Sequence, residues 1–236
     1  MLAISPSPKQ TSPSSPSYDE QWIGAFFDVD NTIVPGLSIE VLFVRRLWTQ
    51  GLIGFREFQK SLGYLLRHIP PFSLSPLRTH KLYLVGLLPQ TIEPLAEEFI
   101  SSIICPKISS RAKLVISRHQ RAGHHIALIS GSPEFLVKPV ASCLNVSIVR
   151  AARMESTKEG YTGRVFAPLP YGLGKRRWVQ QLATKYRLDL NRSYAYGDSP
   201  GDLQTLQIVG NPFVVNPIRG MTRIARQYGW PTAQWV

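Results

Sequence analysis

Apolar residues run almost unbroken from Trp22 to Phe27 and stop at Asp28. That pattern predicts a short strand buried on both faces, with a polar group at its C-terminal end, where catalytic groups sit in α/β folds. The rhythm then becomes helical over 38–50 (Ile39, Leu42, Phe43, Leu47), 55–67 and 91–104 (Ile92, Leu95, Phe99, Ile103), with no strand pattern between them. Beyond about 110 it alternates: a helix to about 122, a strand His125–Ser130, a helix after Pro133 and a hairpin over 148–166. A helix over 175–187, a strand Ser193–Tyr196, a helix over 201–208, a strand Phe213–Val215 and a terminal helix follow. Alternation of this kind predicts an α/β fold with a parallel sheet wound on both faces. The helical stretch 36–106 reads as a cap inserted behind the first strand, leaving 21–35 and 107–236 as the core domain. Residues 1–20 carry Pro6, Pro8, Pro13, Pro16 and many serines, so they have little to bury and read as a disordered tail. There is no internal repeat.

Composition sets bounds on this picture. With 236 residues, 44% hydrophobic and 18% charged, the chain can bury a sizeable core. Its net charge of +12 and pI of about 10.0 point to an anionic partner of some kind. The bases are scattered, with short clusters only at Arg45-Arg46 and Lys175-Arg176-Arg177, which fits a solvated basic surface better than a nucleic-acid groove. Nucleic acid is therefore not an expected partner, whereas peripheral contact with a membrane stays open. No uncharged apolar run reaches the length of a membrane span and no signal-peptide pattern opens the chain, so a cytoplasmic protein is expected. Cys105 and Cys143 lie far apart without C-x-x-C spacing and read as ordinary buried thiols in a reducing cytosol.

Polar groups collect where strands end. The first set is Asp28-Val29-Asp30-Asn31-Thr32, two carboxylates two residues apart as a strand enters a loop. The second is Ser130-Gly131-Ser132, a hydroxyl and backbone N–H groups before a helix, a combination that holds phosphate. The third is Lys175, a cation in the first turn of a helix, where the helix dipole alone disfavours it. The last runs from Asp198 to Asp202, again two carboxylates directly after a strand. Each alone has a plain reading as a cap or turn. Together, four carboxylates in one site repel one another unless a hard divalent cation lies among them.

These four motifs resemble those of the haloacid dehalogenase superfamily, in its phosphoserine-phosphatase-like branch, subfamily IB. The resemblance covers Trp22 to the C-terminus and implies a Rossmann-like core with a helical C1-type cap. It implies a phosphomonoester hydrolase in which Asp28 is the nucleophile and Asp30 the general acid and base. Thr32, Ser130, Gly131 and Lys175 would serve the phosphate. Mg²⁺ would be held by Asp28, the Asp30 carbonyl and Asp198, with Asp202 in support. The substrate is expected to be a small organic phosphate, with phosphoserine, histidinol phosphate and lysophospholipid-type phosphates as candidates. Phosphotransfer to another alcohol, or a basic scaffold that binds anionic lipid, are the alternatives. Two departures bear on substrate. Leu37 stands where phosphoserine phosphatases place a glutamate, and Gly201 where they place an asparagine. Glu40, Arg67, Arg78 and Lys81 lie in or beside the cap stretch and are candidates to read the leaving group. His119, His124 and His125 lack the spacing of a metal pair and read as surface or helix-end residues. Gly172-Leu173-Gly174-Lys175 lacks the remaining residues of an ATP-binding loop.

Overall fold

Gly24–Phe27 forms β1, and all four residues are buried, as an uninterrupted apolar run in a central parallel strand requires. The computed structural model describes residues 21–54, 80–169, 171–218 and 220–236. The tail 1–20, the helix expected over 55–67 and the candidates Arg67 and Arg78 lie outside the described residues. After β1 come α1 (Ile39–Thr49), α2 (Pro89–Phe99) continued by a π-turn over Ile100–Ile104, and α3 (Ser110–Arg121). Next are β2 (His125–Pro133), α4 (Glu134–Cys143), β3 (Ile148–Ala152) and a hairpin of β4 (Met154–Thr157) and β5 (Gly160–Val165). The chain closes with α5 (Leu173–Tyr186), β6 (Tyr194–Gly197), α6 (Leu203–Leu206), β7 (Asn211–Val215), α7 (Met221–Tyr228) and β8 (Thr232–Ala233).

Six strands form one parallel sheet in the order β3-β2-β1-β6-β7-β8. The chain winds outward from β1 in one direction through β2 and β3, then returns to its other side for β6, β7 and β8. The strand order thus reverses at β1, and in open α/β sheets ligands bind at the carboxyl ends of the strands flanking such a reversal. The hairpin expected over 148–166 is shorter than predicted. Residues 148–152 join the edge of the main sheet, and only β4 and β5 pair as a separate antiparallel ribbon.

The period-2 geometry of the strands divides the core between the two faces of the sheet. Ala25, Phe27, Ile126 and Leu128 face one side and pack with residues of α1, α2, α3 and α4. Phe26, Ala127, Ile129 and Ala195 face the other and pack with Trp178, Val179 and Leu182 of α5 and Met221 and Ala225 of α7. Ile39, Phe43 and Leu47 of α1 and Ile92, Ala96 and Phe99 of α2 belong to the first cluster. The described parts of the stretch 36–106 therefore share the core of the sheet. Among the described residues no helix is long and apolar enough to cross a membrane.

Two sequence readings are corrected here. Cys105 and Cys143 are not free thiols but form a disulfide, their Cα atoms 6.3 Å apart. The fold brings the turn after the π-helix against the end of α4, a proximity that a separation of 38 residues conceals. Nor is His119 a surface residue. It is buried under Tyr194 and Tyr196, with Nε2 2.9 Å from the Tyr196 hydroxyl and Nδ1 2.8 Å from Nδ1 of His124.

Burial first, and then the neighbouring His124, holds the His119 imidazole down to about 4. The unfolded chain takes up this proton below its ordinary value of about 6.5, whereas the folded chain does so only near 4. Stability is consequently lost as pH falls through that window, by about 2 kcal/mol from this residue after allowance for the wetter His124 side. Urea unfolding at pH 7 and pH 4.5 should show a smaller stability loss for His119→Gln than for the unsubstituted protein.

Candidate active site

The loop that leaves β1 turns back sharply, with the N–H groups of Ile33 and Val34 both donating to the Val29 carbonyl at 3.0 Å. This turn presents Asp28 and Asp30 at the C-terminal edge of the sheet. The Asp28 N–H donates to the Tyr196 carbonyl at 2.9 Å, which fixes the motif to β6. The Asp30 carboxylate is held on both oxygens. Oδ1 accepts the Ile39 N–H at the start of α1 at 2.7 Å, and Oδ2 accepts the hydroxyls of Ser132 at 2.7 Å and Ser130 at 3.4 Å. One carboxylate thereby ties the first strand's loop to a helix N-terminus and to the loop of β2.

Lys175, in the first turn of α5, is buried and donates from Nζ to Asp28 Oδ1 at 2.5 Å and to Asp202 Oδ1 at 2.6 Å. Burial works against its cation, but Asp202 and Asp28 hold its pKa above the ordinary lysine value. These two contacts explain a lysine at a helix start, where the dipole disfavours it. Gly197 precedes Asp198 because a Cβ there would lie 2.5 Å from Cβ of Asp202, so only glycine lets that carboxylate reach Lys175. Asp202 is pinned from behind by the Ser199 N–H at 3.2 Å and hydroxyl at 2.9 Å, both donating to Oδ2.

Carboxylate oxygens of Asp28, Asp198 and Asp202, all three buried, lie within 4.8 Å of one another. Burial pushes the Asp28 carboxyl well above its usual range. Lys175 opposes that push, while Asp202, Asp30 and Asp198 add to it. Burial likewise raises Asp198 to about 6, against the hydrogen bond from Asn31. One lysine does not neutralise this group, and its donors are all hard oxygens, which is the chemistry a small divalent cation satisfies. The donor set fits such an ion.

A cavity of about 530 Å³ opens over these residues, lined by Asp28, Asp30, Gly131, Ser132, Lys175 and Asp198 among others. Of the residues anticipated from the sequence, Thr32 and Ser130 are fully buried and lie beneath the cavity lining. The Thr32 hydroxyl has no hydrogen-bond partner among the described residues. The Ser130 hydroxyl accepts the Ser132 N–H at 3.1 Å, and it is Ser132 that faces the cavity. Tyr171 lies across Gly131, where a Cβ would come within 2.7 Å of its ring.

Sequence reasoning missed Asn31 and Asn216. Asn31 Nδ2 donates to Asp198 Oδ2 and to the Asn216 carbonyl, both at 3.0 Å, and Asn216 Nδ2 donates to the Asn31 carbonyl at 2.8 Å. Both residues adopt left-handed backbone, with φ of 55° and 44°, which asparagine tolerates better than most residues. The only signal for this pair was the type of residue at each turn.

A parallel sheet that carries two carboxylates after its first strand, a buried lysine and a further acidic pair after β6 has the chemistry of an α/β enzyme that holds a phosphate group beside a divalent cation. The haloacid dehalogenase-like hydrolase model matches residues 25–207. A relative described as "Probable phosphatase" in Mycobacterium tuberculosis is 32% identical over 98% of this chain and 82% of its own. A histidinol-phosphatase of Neisseria meningitidis is 27% identical over 88% of this chain and 96% of its own. Among solved structures, a protein of unknown function from Bordetella pertussis superposes with a TM-score of 0.79 at 26% identity, covering 92% of this chain and 100% of that one. A phospho-aspartyl intermediate analogue of phosphoserine phosphatase shares the fold, with a TM-score of 0.63 at 18% identity over 92% of this chain and 95% of that one. The chain belongs to the haloacid dehalogenase-like hydrolases and is an enzyme of their phosphatase group.

Proposed function

We propose that the protein hydrolyses small organic phosphomonoesters with Mg²⁺ as cofactor, through a phosphoryl group carried transiently on Asp28. The observation that carries this reading is the placement of Asp28 in the cavity with Lys175 on one oxygen and two further buried carboxylates within metal-sharing distance. Asp28, the Asp30 carbonyl and Asp198 would hold the ion, which when bound supplies positive charge to the phosphate oxygens.

In the first step an Asp28 carboxylate oxygen bonds to phosphorus as the bond from phosphorus to the leaving oxygen breaks. Asp30, as general acid, delivers a proton to that oxygen, so a neutral alcohol departs. A water molecule then passes a proton to Asp30 and bonds to phosphorus, and the Asp28–phosphorus bond breaks to release phosphate. Ser132, Ser130 and the Ile39 N–H hold the Asp30 carboxyl in place for both transfers. Lys175 and the N–H of Gly131 meet the phosphoryl oxygens, and Asp202 keeps Lys175 oriented. Thr32 and Ser130 support the two loops from below rather than touching phosphate. Of the stretch 36–106, Gly36, Ser38 and Glu40 bound the leaving-group side.

Phosphate release from a panel of phosphomonoesters, before and after removal of divalent cations with EDTA, tests the reading. Release that stops with EDTA and returns with Mg²⁺ is expected, and release indifferent to EDTA would sink it. A second expectation concerns Asn31. Because it aims the Asp198 carboxylate, Asn31→Ala should weaken Mg²⁺ binding roughly tenfold to a hundredfold by calorimetry.

A further inference from the structure

The bases that lie scattered along the sequence are gathered by the fold. One face of the sheet is covered by α5, α6 and α7, whose Trp178, Leu182, Leu206, Met221 and Ala225 belong to one cluster with Phe26, Ala127 and Ala195. None of these three helices contains an acidic residue, whereas α5 and α7 expose Arg177, Lys185, Arg223 and Arg226. From Leu173 to the C-terminus the acids are Asp189, Asp198 and Asp202. Two of these are buried in the active site, and Asp189 accepts the Asn191 N–H in the loop after α5. The other face is mixed, since the bases of α3 share it with the exposed Glu93, Glu97 and Glu98 of α2, and Glu134 of α4 pairs with Lys138. The excess positive charge of the chain therefore has an unmixed side.

A face of one sign can serve only to keep a protein soluble. Two observations give this one a partner. First, it runs to the mouth of the cavity and ends there in exposed aliphatic side chains. Leu173, the first residue of α5, is 62% exposed, and Ile218, three residues before α7, lines the cavity and is 44% exposed. The Gly172 N–H donates to the Gly201 carbonyl at 3.1 Å and the Ile218 N–H to the Asp198 carbonyl at 3.0 Å, so both aliphatic residues are held beside the loop after β6. Cations next to exposed aliphatic tips match an anionic bilayer, whose headgroups take the cations and whose acyl boundary takes the tips. Second, a nucleic-acid strand on a basic face needs aromatic rings on which its bases stack. Among the described residues of this face the exposed aromatic is Tyr228, which already stacks on Trp230 with ring centroids 4.6 Å apart and accepts a hydrogen bond from Gln207 at 2.9 Å.

We propose that α5 and α7, with Leu173 and Ile218 at their cavity end, form a docking face for an anionic lipid bilayer, on which the protein sits peripherally. Sedimentation of the full chain with phosphatidylcholine vesicles, with and without phosphatidylglycerol, tests this. At about 0.1 M salt, where exposed charges act over about 10 Å, the anionic vesicles should bind the chain about a hundredfold or more tightly than the neutral ones. Each base at such a surface contributes about fivefold, so Arg177→Gln, Lys185→Gln, Arg223→Gln and Arg226→Gln together should weaken binding by about a hundredfold or more. Removing as many bases from α3, as Arg111→Gln, Lys113→Gln, Arg118→Gln and Arg121→Gln, should weaken it by less than about fivefold, because α3 packs on the other face of the sheet. Leu173→Ser should weaken it by about tenfold, a loss that added salt does not change. All nine side chains are exposed, so each variant should melt within about 3 °C of the unsubstituted protein, which shows without any assay of turnover that it is folded. Equal binding to anionic and neutral vesicles, equal losses from the two sets of four, or a Leu173→Ser variant that binds undiminished would each overturn the proposal. So would a chain that binds a DNA or RNA oligonucleotide and leaves the vesicles alone.

Discussion

Asp28→Asn should abolish Mg²⁺-dependent phosphate release, by about four orders of magnitude or more, while leaving the protein folded. The amide keeps the size and the backbone contact to Tyr196 but removes the nucleophile, and no neighbouring carboxylate takes its place, since Asp30 is held by Ile39, Ser130 and Ser132 and Asp202 by Ser199. The stability expectation is as specific as the kinetic one. Burial and three nearby acids already push the Asp28 carboxyl up, so removing its charge relieves repulsion, and Lys175 retains Asp202. Without metal, the variant should melt no lower than the unsubstituted protein. A variant that loses activity by unfolding would show instead that Asp28 serves the structure.

Lys175→Met has the opposite balance. Lysine at this position is a buried cation shared by two carboxylates, and its removal strands both. Taking one partner from a buried ionic group costs about 3–5 kcal/mol, far more than a surface pair contributes. Unfolding in urea with EDTA should show a loss of about that size, partly recovered when Mg²⁺ is added, because the ion replaces some of the missing positive charge. Turnover should stay low even with saturating Mg²⁺, since the ion does not restore the contact to the transferred phosphoryl group. Equal stability with and without Lys175 would mean that the carboxylates are neutral in the resting protein.

Much of this arrangement was legible in the sequence for one reason. Apolar runs lead into Asp28 and Ser130 and a short strand leads into Asp198, and one parallel sheet brings these three points to one edge, although β2 continues past Ser130 to Pro133. What escaped the sequence concerns partners. The helical periodicity of Ile39, Phe43 and Leu47, and of Ile92 and Phe99, predicts an apolar face but not what covers it, and both faces turn out to share the core of the sheet. Ser130 and Ser132 are two residues apart in β2, where regular alternation would give them one face, and the break in the β2–β3 register between Ile129 and Pro133 decides which one meets the cavity. Asn31 reaches Asp198 across 167 residues, and Lys81 reaches Glu40 across 41, with no pattern linking either pair. His119 looked like a helix-end residue because its helix is polar overall, yet it falls on the one stripe that faces Tyr194 and Tyr196. The disulfide of Cys105 and Cys143 escaped for the same reason, since sequence spacing carries no distance.

The central claim is that phosphoryl transfer passes through Asp28, and trapping that intermediate tests it most directly. The protein would be mixed with a turned-over ester and Mg²⁺, quenched in acid within a single turnover, digested, and its peptides weighed. The account predicts one added phosphoryl group on the peptide that contains Asp28, assigned to that residue by fragmentation and absent from Asp28→Asn. Full turnover with no phosphoryl group on Asp28 at any quench time, or with the group on a different residue, would contradict it.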